Sequence, residues 1–140
     1  MARSNLEASL ARMRAEPGNS PGRIAAFDRI LADSHRLVHA LMSLEAGLIA
    51  SSPVPSRDSF RTFADDVDRT LYFLSAGLRG KGIRRADFPD LREDHEKLTE
   101  SGDPNVPRYA LSNIETDRMV NSLNTLTGDI LSLVDAETSG

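Results

Sequence analysis

The chain has 140 residues, no cysteine and a formal net charge of −4, with 39% hydrophobic, 27% charged and only 5% aromatic residues. That length fits one domain with a substantial core, and the composition is globular rather than disordered. The acidic balance argues against a dedicated nucleic-acid binder, which needs clustered Lys and Arg, and the lack of cysteine excludes disulfides, thiolate metal ligands and thiol catalysis.

With so few aromatics the core must rest on Leu, Ile, Val, Ala and Met, which suits packed helices better than a β-sandwich. No apolar run approaches the ~20 residues needed to span a bilayer. The polar N-terminus has no signal-peptide core. Taken alone, the sequence reads as a soluble domain.

Five helical segments are expected. The first, about Ser4 to Glu16, carries Leu6, Leu10 and Met13 and ends at Pro17-Gly18-Asn19. The second starts at Ser20 as N-cap with Pro21 at the first helical position. Its seam is Phe27, Ile30, Ser34, Leu37, Leu41, Leu44 and Leu48, closed by Ser51-Ser52-Pro53. The third is capped by Ser56, has Asp58 in its first turn, and buries Phe60, Phe63, Val67, Leu71, Leu74 and Leu78. Gly80 is placed to be left-handed just past its end.

A shorter fourth helix is expected from near Asp87 through Leu91 and Leu98 to Gly102. The fifth runs from about Pro107 to Asp135, with Tyr109, Ser112, Thr116, Met119, Leu123, Leu126, Ile130 and Leu133 in one seam. Long helices joined by short turns must run antiparallel to their neighbours. The expected fold is therefore all-α, an antiparallel bundle of four to five helices, three of them long. Residues 1–19 read as an N-terminal helix and linker, 20–135 as the bundle and 136–140 as a flexible tail.

Several constellations bear on chemistry. His35 and His39 stand four apart on one helix, a spacing that suits one metal ion. At about 100° per residue they lie roughly 160° from Leu37, away from the seam, so two solvated or interface histidines are the simpler reading. Glu93-Asp94-His95 cannot converge on one ion, because helical neighbours diverge; it reads as a solvated face.

Glu45 falls in the sector of Val38, Leu41 and Leu48, so a neighbouring helix should cover it at least partly. A buried carboxylate must pair or shift its pKa. Arg118 is the expected partner, and an ion pair setting helix register the expected role; a proton-active carboxylate is the functional alternative.

The fifth helix is rich in Asn113, Thr116, Asn121, Ser122, Asn124, Thr125 and Thr127, mediocre helix formers. They either hydrogen-bond across an interface or form a solvated outer face, the simpler expectation. Arg79, Lys81, Arg84 and Arg85 make the one basic cluster, read as a solvated loop with membrane phosphates, an acidic partner or nucleic acid as alternatives. There is no Walker or GxGxxG loop, no G-x-S-x-G elbow and no Glu-x-x-His. No catalytic, cofactor-binding or metal-binding residue is assigned, and the chain reads as a non-enzyme.

Four blocks, in order, carry a resemblance. They are His35-Arg36-Leu37-Val38-His39-Ala40-Leu41-Met42-Ser43-Leu44-Glu45-Ala46; Phe60-x-x-Phe63-Ala64-x-x-Val67-Asp68-x-Thr70-Leu71; Pro89-Asp90-Leu91-Arg92-x-Asp94-His95; and Arg108-Tyr109-Ala110-Leu111 followed by Glu115-Thr116-Asp117-Arg118-Met119-Val120-Asn121-Ser122-Leu123-Asn124-Thr125-Leu126. Together they resemble the soluble C-terminal region of bacterial FUSC-type membrane proteins, the fusaric-acid-resistance and aromatic-acid-exporter group, over about Arg23 to Leu126.

The resemblance implies a transmembrane half before residue 1 as partner, with the first helix a stub leaving the membrane and Met1-Ala2 an engineered start. It implies a location at the cytoplasmic face of the bacterial inner membrane, and a structural, oligomerising or regulatory role in efflux without cofactor or catalytic motif. A homo-oligomer is expected. The rival readings are a stand-alone helical adaptor that binds a partner helix, and a metal- or small-molecule-binding bundle using His35, His39 and Glu45.

Overall fold

The computed structural model describes residues 7, 8, 11, 12, 21–55, 57–103 and 105–139. Of the expected first helix, Glu7, Ala8, Ala11 and Arg12 are described, all helical and exposed. Its stripe of Leu6, Leu10 and Met13, and the Ser20 and Ser56 caps, lie outside the described residues.

Four α-helices follow: α1 (Pro21–Ala50), α2 (Asp58–Leu78), α3 (Leu91–Glu100) and α4 (Pro107–Thr138), with one 3-10 turn at Arg85–Asp87. No strand occurs among the described residues. The fold is an all-α bundle with three long helices, as the periodicity requires.

The centre is α4. Helices α1, α2 and α3 all pack on it, α3 also packs on α2, and α1 and α2 hardly touch. A helix with neighbours on three sides cannot confine its apolar residues to one stripe. Met119, Val120, Leu123, Leu126, Ile130, Leu131 and Leu133 are all buried, and so are Ser112, Glu115, Thr116, Ser122 and Thr127. The polar residues of α4 thus divide: Asn121, Asn124 and Thr125 are exposed, while Ser122, Thr116 and Thr127 are core. Thr116 stays satisfied by donating its hydroxyl to the Ser112 carbonyl at 2.6 Å. The helix also continues past Asp135 to Thr138, where Glu137 meets Arg23 of α1 at 3.1 Å.

The buried face of α1 is Ala26, Ile30, Asp33, Leu37, Ala40 and Leu44, turned from the expected seam. Leu41 is exposed, and Phe27, Ser34 and Leu48 are half-buried. Small residues explain the rotation. Ala26 and Ala40 face the core, and Gly47 leaves room for the Leu111 side chain of α4 to seat directly against α1. On α2, Phe63 and Leu74 are buried as expected, but Leu71 and Leu78 are exposed because α1 does not cover that side.

Local signals end the helices. Gly80 has φ +81°, its N–H reaches the Gly77 carbonyl at 3.1 Å and that of Lys81 reaches Ala76 at 3.0 Å, a complete left-handed C-terminal cap. Arg57 occupies the N-cap position of α2 without a side-chain capping bond. The helix expected from Asp87 starts later, because Pro89 interrupts the approach. Asp90 caps α3, accepting from the Arg92 and Glu93 amides at 3.1 and 3.0 Å. Phe88 packs tilted against Phe73 of α2, ring centres 5.6 Å apart, pinning the connection.

Candidate functional site

The expected ion pair between Glu45 and Arg118 does not form. Glu45 is exposed, and Arg118 instead meets Glu115 on its own helix at 3.2 Å. The sector containing Glu45 is apolar, but among the described residues no other helix covers it, since α2 packs on α3 and α4. His35 is half-buried with Nε2 3.5 Å from the Glu7 carboxylate, while His39 is exposed. Among the described residues, no three of His, Asp and Glu gather in a metal-binding group. All four members of the basic cluster are exposed, and Arg84 pairs with Asp87 at 3.3 Å.

Glu93-Asp94-His95 is not one solvated face. Glu93 is outside, holding Lys97 at 2.7 Å, but Asp94 and His95 are buried. His95 Nε2 donates to the Asn113 carbonyl of α4 at 3.0 Å. Next to it, Arg92 reaches Asp117 at 2.7 Å and Asn121 at 2.6 Å. Arg92 and His95 together stitch α3 to α4.

Two carboxyl pairs cross helix interfaces. Asp94 of α3 lies beside the Asp66 carboxyl of α2; burial first, then that neighbouring carboxyl, push Asp94 up to about 6. Asp33 of α1 pairs with Asp129 of α4 in the same way, and burial followed by that contact raises it above the ordinary carboxylate range. Arg36 partly offsets the rise, 2.6 Å from Asp33, and Arg29 stands 3.4 Å from Asp129. Two carboxylates this close cannot both ionise cheaply, so each pair favours a shared proton. Sequence reasoning missed them because each partner comes from a different helix.

A second feature lies where the end of α1, the 51–57 connection and the first turns of α2 and α4 meet. A recess of about 110 Å³ is lined by Leu48, Val54, Pro55, Arg57, Phe60, Arg108, Tyr109 and Ser112. Arg57 lies across the Tyr109 ring, its guanidinium carbon 4.4 Å from the ring centre, and donates through Nη1 to the Leu98 carbonyl at 2.7 Å. Tyr109 donates its hydroxyl to the Pro55 carbonyl at 2.9 Å. Arg108 donates through Nη1 to the Leu48 carbonyl at 2.6 Å and the Ser51 carbonyl at 3.2 Å, closing the end of α1. Gly102 makes room for the stack, since a Cβ there would meet Arg57 Nη1 at 2.5 Å.

No helix among the described residues is long and apolar enough to cross a membrane. The sequence matches no family model, no curated protein and no solved structure.

Proposed function

We propose that this chain is a non-catalytic helical assembly domain that pairs with a second copy of itself through the outer face of α1. One observation carries the reading. Val38, Leu41, Met42 and Ile49 are 45%, 42%, 63% and 79% exposed, Leu41 and Met42 about one turn past Val38 and Ile49 two turns past Met42 on one side of the helix. A contiguous apolar face of this kind marks an interaction surface, whereas single exposed apolar residues do not.

The occupant follows from charge. Glu45 sits within the stripe, and Arg108 borders the same groove. A two-fold copy brings the same patch against itself, so the carboxylate of one protomer can face the guanidinium of the other. The sequence resemblance to FUSC-type proteins supports a wider reading, in which such pairing gathers soluble regions of an efflux transporter at the cytoplasmic face of the inner membrane.

Sedimentation of the full chain from micromolar to millimolar concentration tests the pairing. A dimer is expected, with Met42→Asp and Val38→Asp sedimenting as folded monomers. A strict monomer across that range, or capture of a foreign partner helix in place of the second copy, overturns it. The transporter setting is tested separately by the reading frame upstream of Met1 in the source genome, where apolar spans of ~20 residues are expected. An open frame without them removes that setting and leaves the dimer untouched.

A further inference from the structure

On a different side of α1 from the apolar stripe, a groove of about 330 Å³ runs along the seam with α4. One wall carries Arg36, His39 and Ser43 at the 3- and 4-residue spacing of one helix face; the other carries Arg118, with Asn121 and Ser122 one turn on. Each of these six side chains can donate a hydrogen bond, and among the described residues no carboxylate lines the groove. Ala40 is the one apolar residue among those lining it, and none of them lines the groove beside Val38, Met42 and Ile49.

The donors are largely uncommitted. Ser122 is only 8% exposed, yet its hydroxyl makes no hydrogen bond among the described residues. Ser43 is half-buried and equally without one. Their neighbours behave differently: Ser34 of α1 donates to the Ile30 carbonyl at 2.7 Å, and Thr125 of α4 to the Asn121 carbonyl at 2.9 Å. Arg36 holds Asp33 at 2.6 Å and Arg118 holds Glu115 at 3.2 Å, each through Nη1 alone, so Nε and Nη2 of both guanidiniums lack an acceptor among the described residues. Both acids are buried beneath, while the two arginine side chains are 69% and 64% exposed. Arg92 occupies the Asn121 amide oxygen at 2.6 Å, which leaves the amide of Asn121 as a donor.

We infer that this groove binds a small non-aromatic phosphomonoester, with the phosphate between Arg36 and Arg118, a polar body along Ser43, Asn121 and Ser122, and His39 at the rim. A phosphomonoester dianion presents three acceptor oxygens, and guanidinium forks from two facing helices can each take two-point bonds to it. A monocarboxylate has two oxygens and one charge, so it would leave the donors of one wall unmet. Hydroxyl and amide donors suit a polyol body, and without an aromatic lining a nucleobase has no ring to stack on. Phosphatidic acid carries the same phosphate, but its acyl chains need an apolar surface that this groove lacks.

Titration of the isotopically labelled full chain with glycerol 3-phosphate, followed by proton–nitrogen NMR, tests the assignment. Sodium chloride at matched ionic strength is the reference and acetate the competing anion. Co-sedimentation with phosphatidylcholine vesicles containing phosphatidic acid presents the same group on a lipid. The soluble ester is expected to shift the Arg36 and Arg118 Nε–H signals and the Ser43 and Ser122 amides saturably, with millimolar affinity. Arg118→Gln should weaken binding about tenfold or more. Because Arg118 also pairs with the buried Glu115, Ser43→Glu supplies a second variant that puts an acid into the groove and leaves both arginines in place; it should abolish the shifts. Shifts that chloride reproduces, acetate acting at lower concentration than the ester, binding retained in Ser43→Glu, or capture by the vesicles without a response to the soluble ester would each overturn the assignment.

Discussion

Asp94 on α3 is buried with its carboxyl beside that of Asp66 on α2, and burial first, then that neighbour, push its pKa up to about 6. The sign of the consequence is fixed. A carboxyl whose folded pKa exceeds its unfolded value near 3.8 binds protons more tightly in the folded chain. Its stabilising contribution is complete below pH ~4 and is lost as the pH rises through about 6. Asp94→Asn replaces the shared proton with an amide, so it should melt higher than the parent at pH 7.5 and lose most of that advantage by pH 4.5. The difference should be on the order of 2–3 kcal/mol. Thermal melts of both proteins across that range check it, and parallel curves would refute the shared proton. The Asp33–Asp129 pair acts in the same direction in both proteins and cancels in the comparison.

Gly47 lets α1 and α4 close on each other. A methyl there would lie 1.9 Å from Leu111 Cδ2 and 2.9 Å from its Cγ, so the whole isobutyl group must turn out of the seam. Gly47→Ala should gain up to ~1 kcal/mol in helix propensity but lose more to overpacking, for a net loss of roughly 1–2 kcal/mol. Adding Leu111→Ala should recover part of it, read as a coupling energy in a double-mutant cycle of denaturant unfolding. A strictly additive pair would place the two side chains apart.

The rotated face of α1 makes a contrast between leucines four residues apart. Leu37 is 8% exposed and Leu41 42% exposed. Leu37→Ala should cost about 2–5 kcal/mol and Leu41→Ala under ~1 kcal/mol in the monomer. Urea unfolding at low protein concentration separates them, and equal losses would restore the symmetrical seam.

Asp90 accepts two amides at the start of α3. Asp90→Ala should lower stability by about 1 kcal/mol, with Asp90→Ser retaining most of it. Hydrogen exchange at the Arg92 and Glu93 amides should speed up in the alanine variant alone; unchanged exchange would assign the cap elsewhere.

Much of the fold was legible because its signals are local. Pro21 and Pro107 start helices, Gly80 ends one, and the seven-residue repeat of Ile30, Leu37 and Leu44 and the 3- and 4-residue repeat of Met119, Leu123, Leu126 and Ile130 mark the core. The start of α3 slipped because Asp87 and Asp90 are equally good caps in sequence, and only the chain path around Pro89 selects one.

The sequence by itself determined the helices, their order and which residues are apolar, since backbone propensity and periodicity act within a few residues. Only the tertiary structure decided which side of α1 faces inward, because that depends on where Ala40 and Gly47 let α4 approach. It likewise decided that Glu45 stays outside, that Asp94 and His95 go inside, and that Arg57 and Arg108 share one recess. In each case the partner comes from a distant stretch of chain, and no spacing along one helix encodes it.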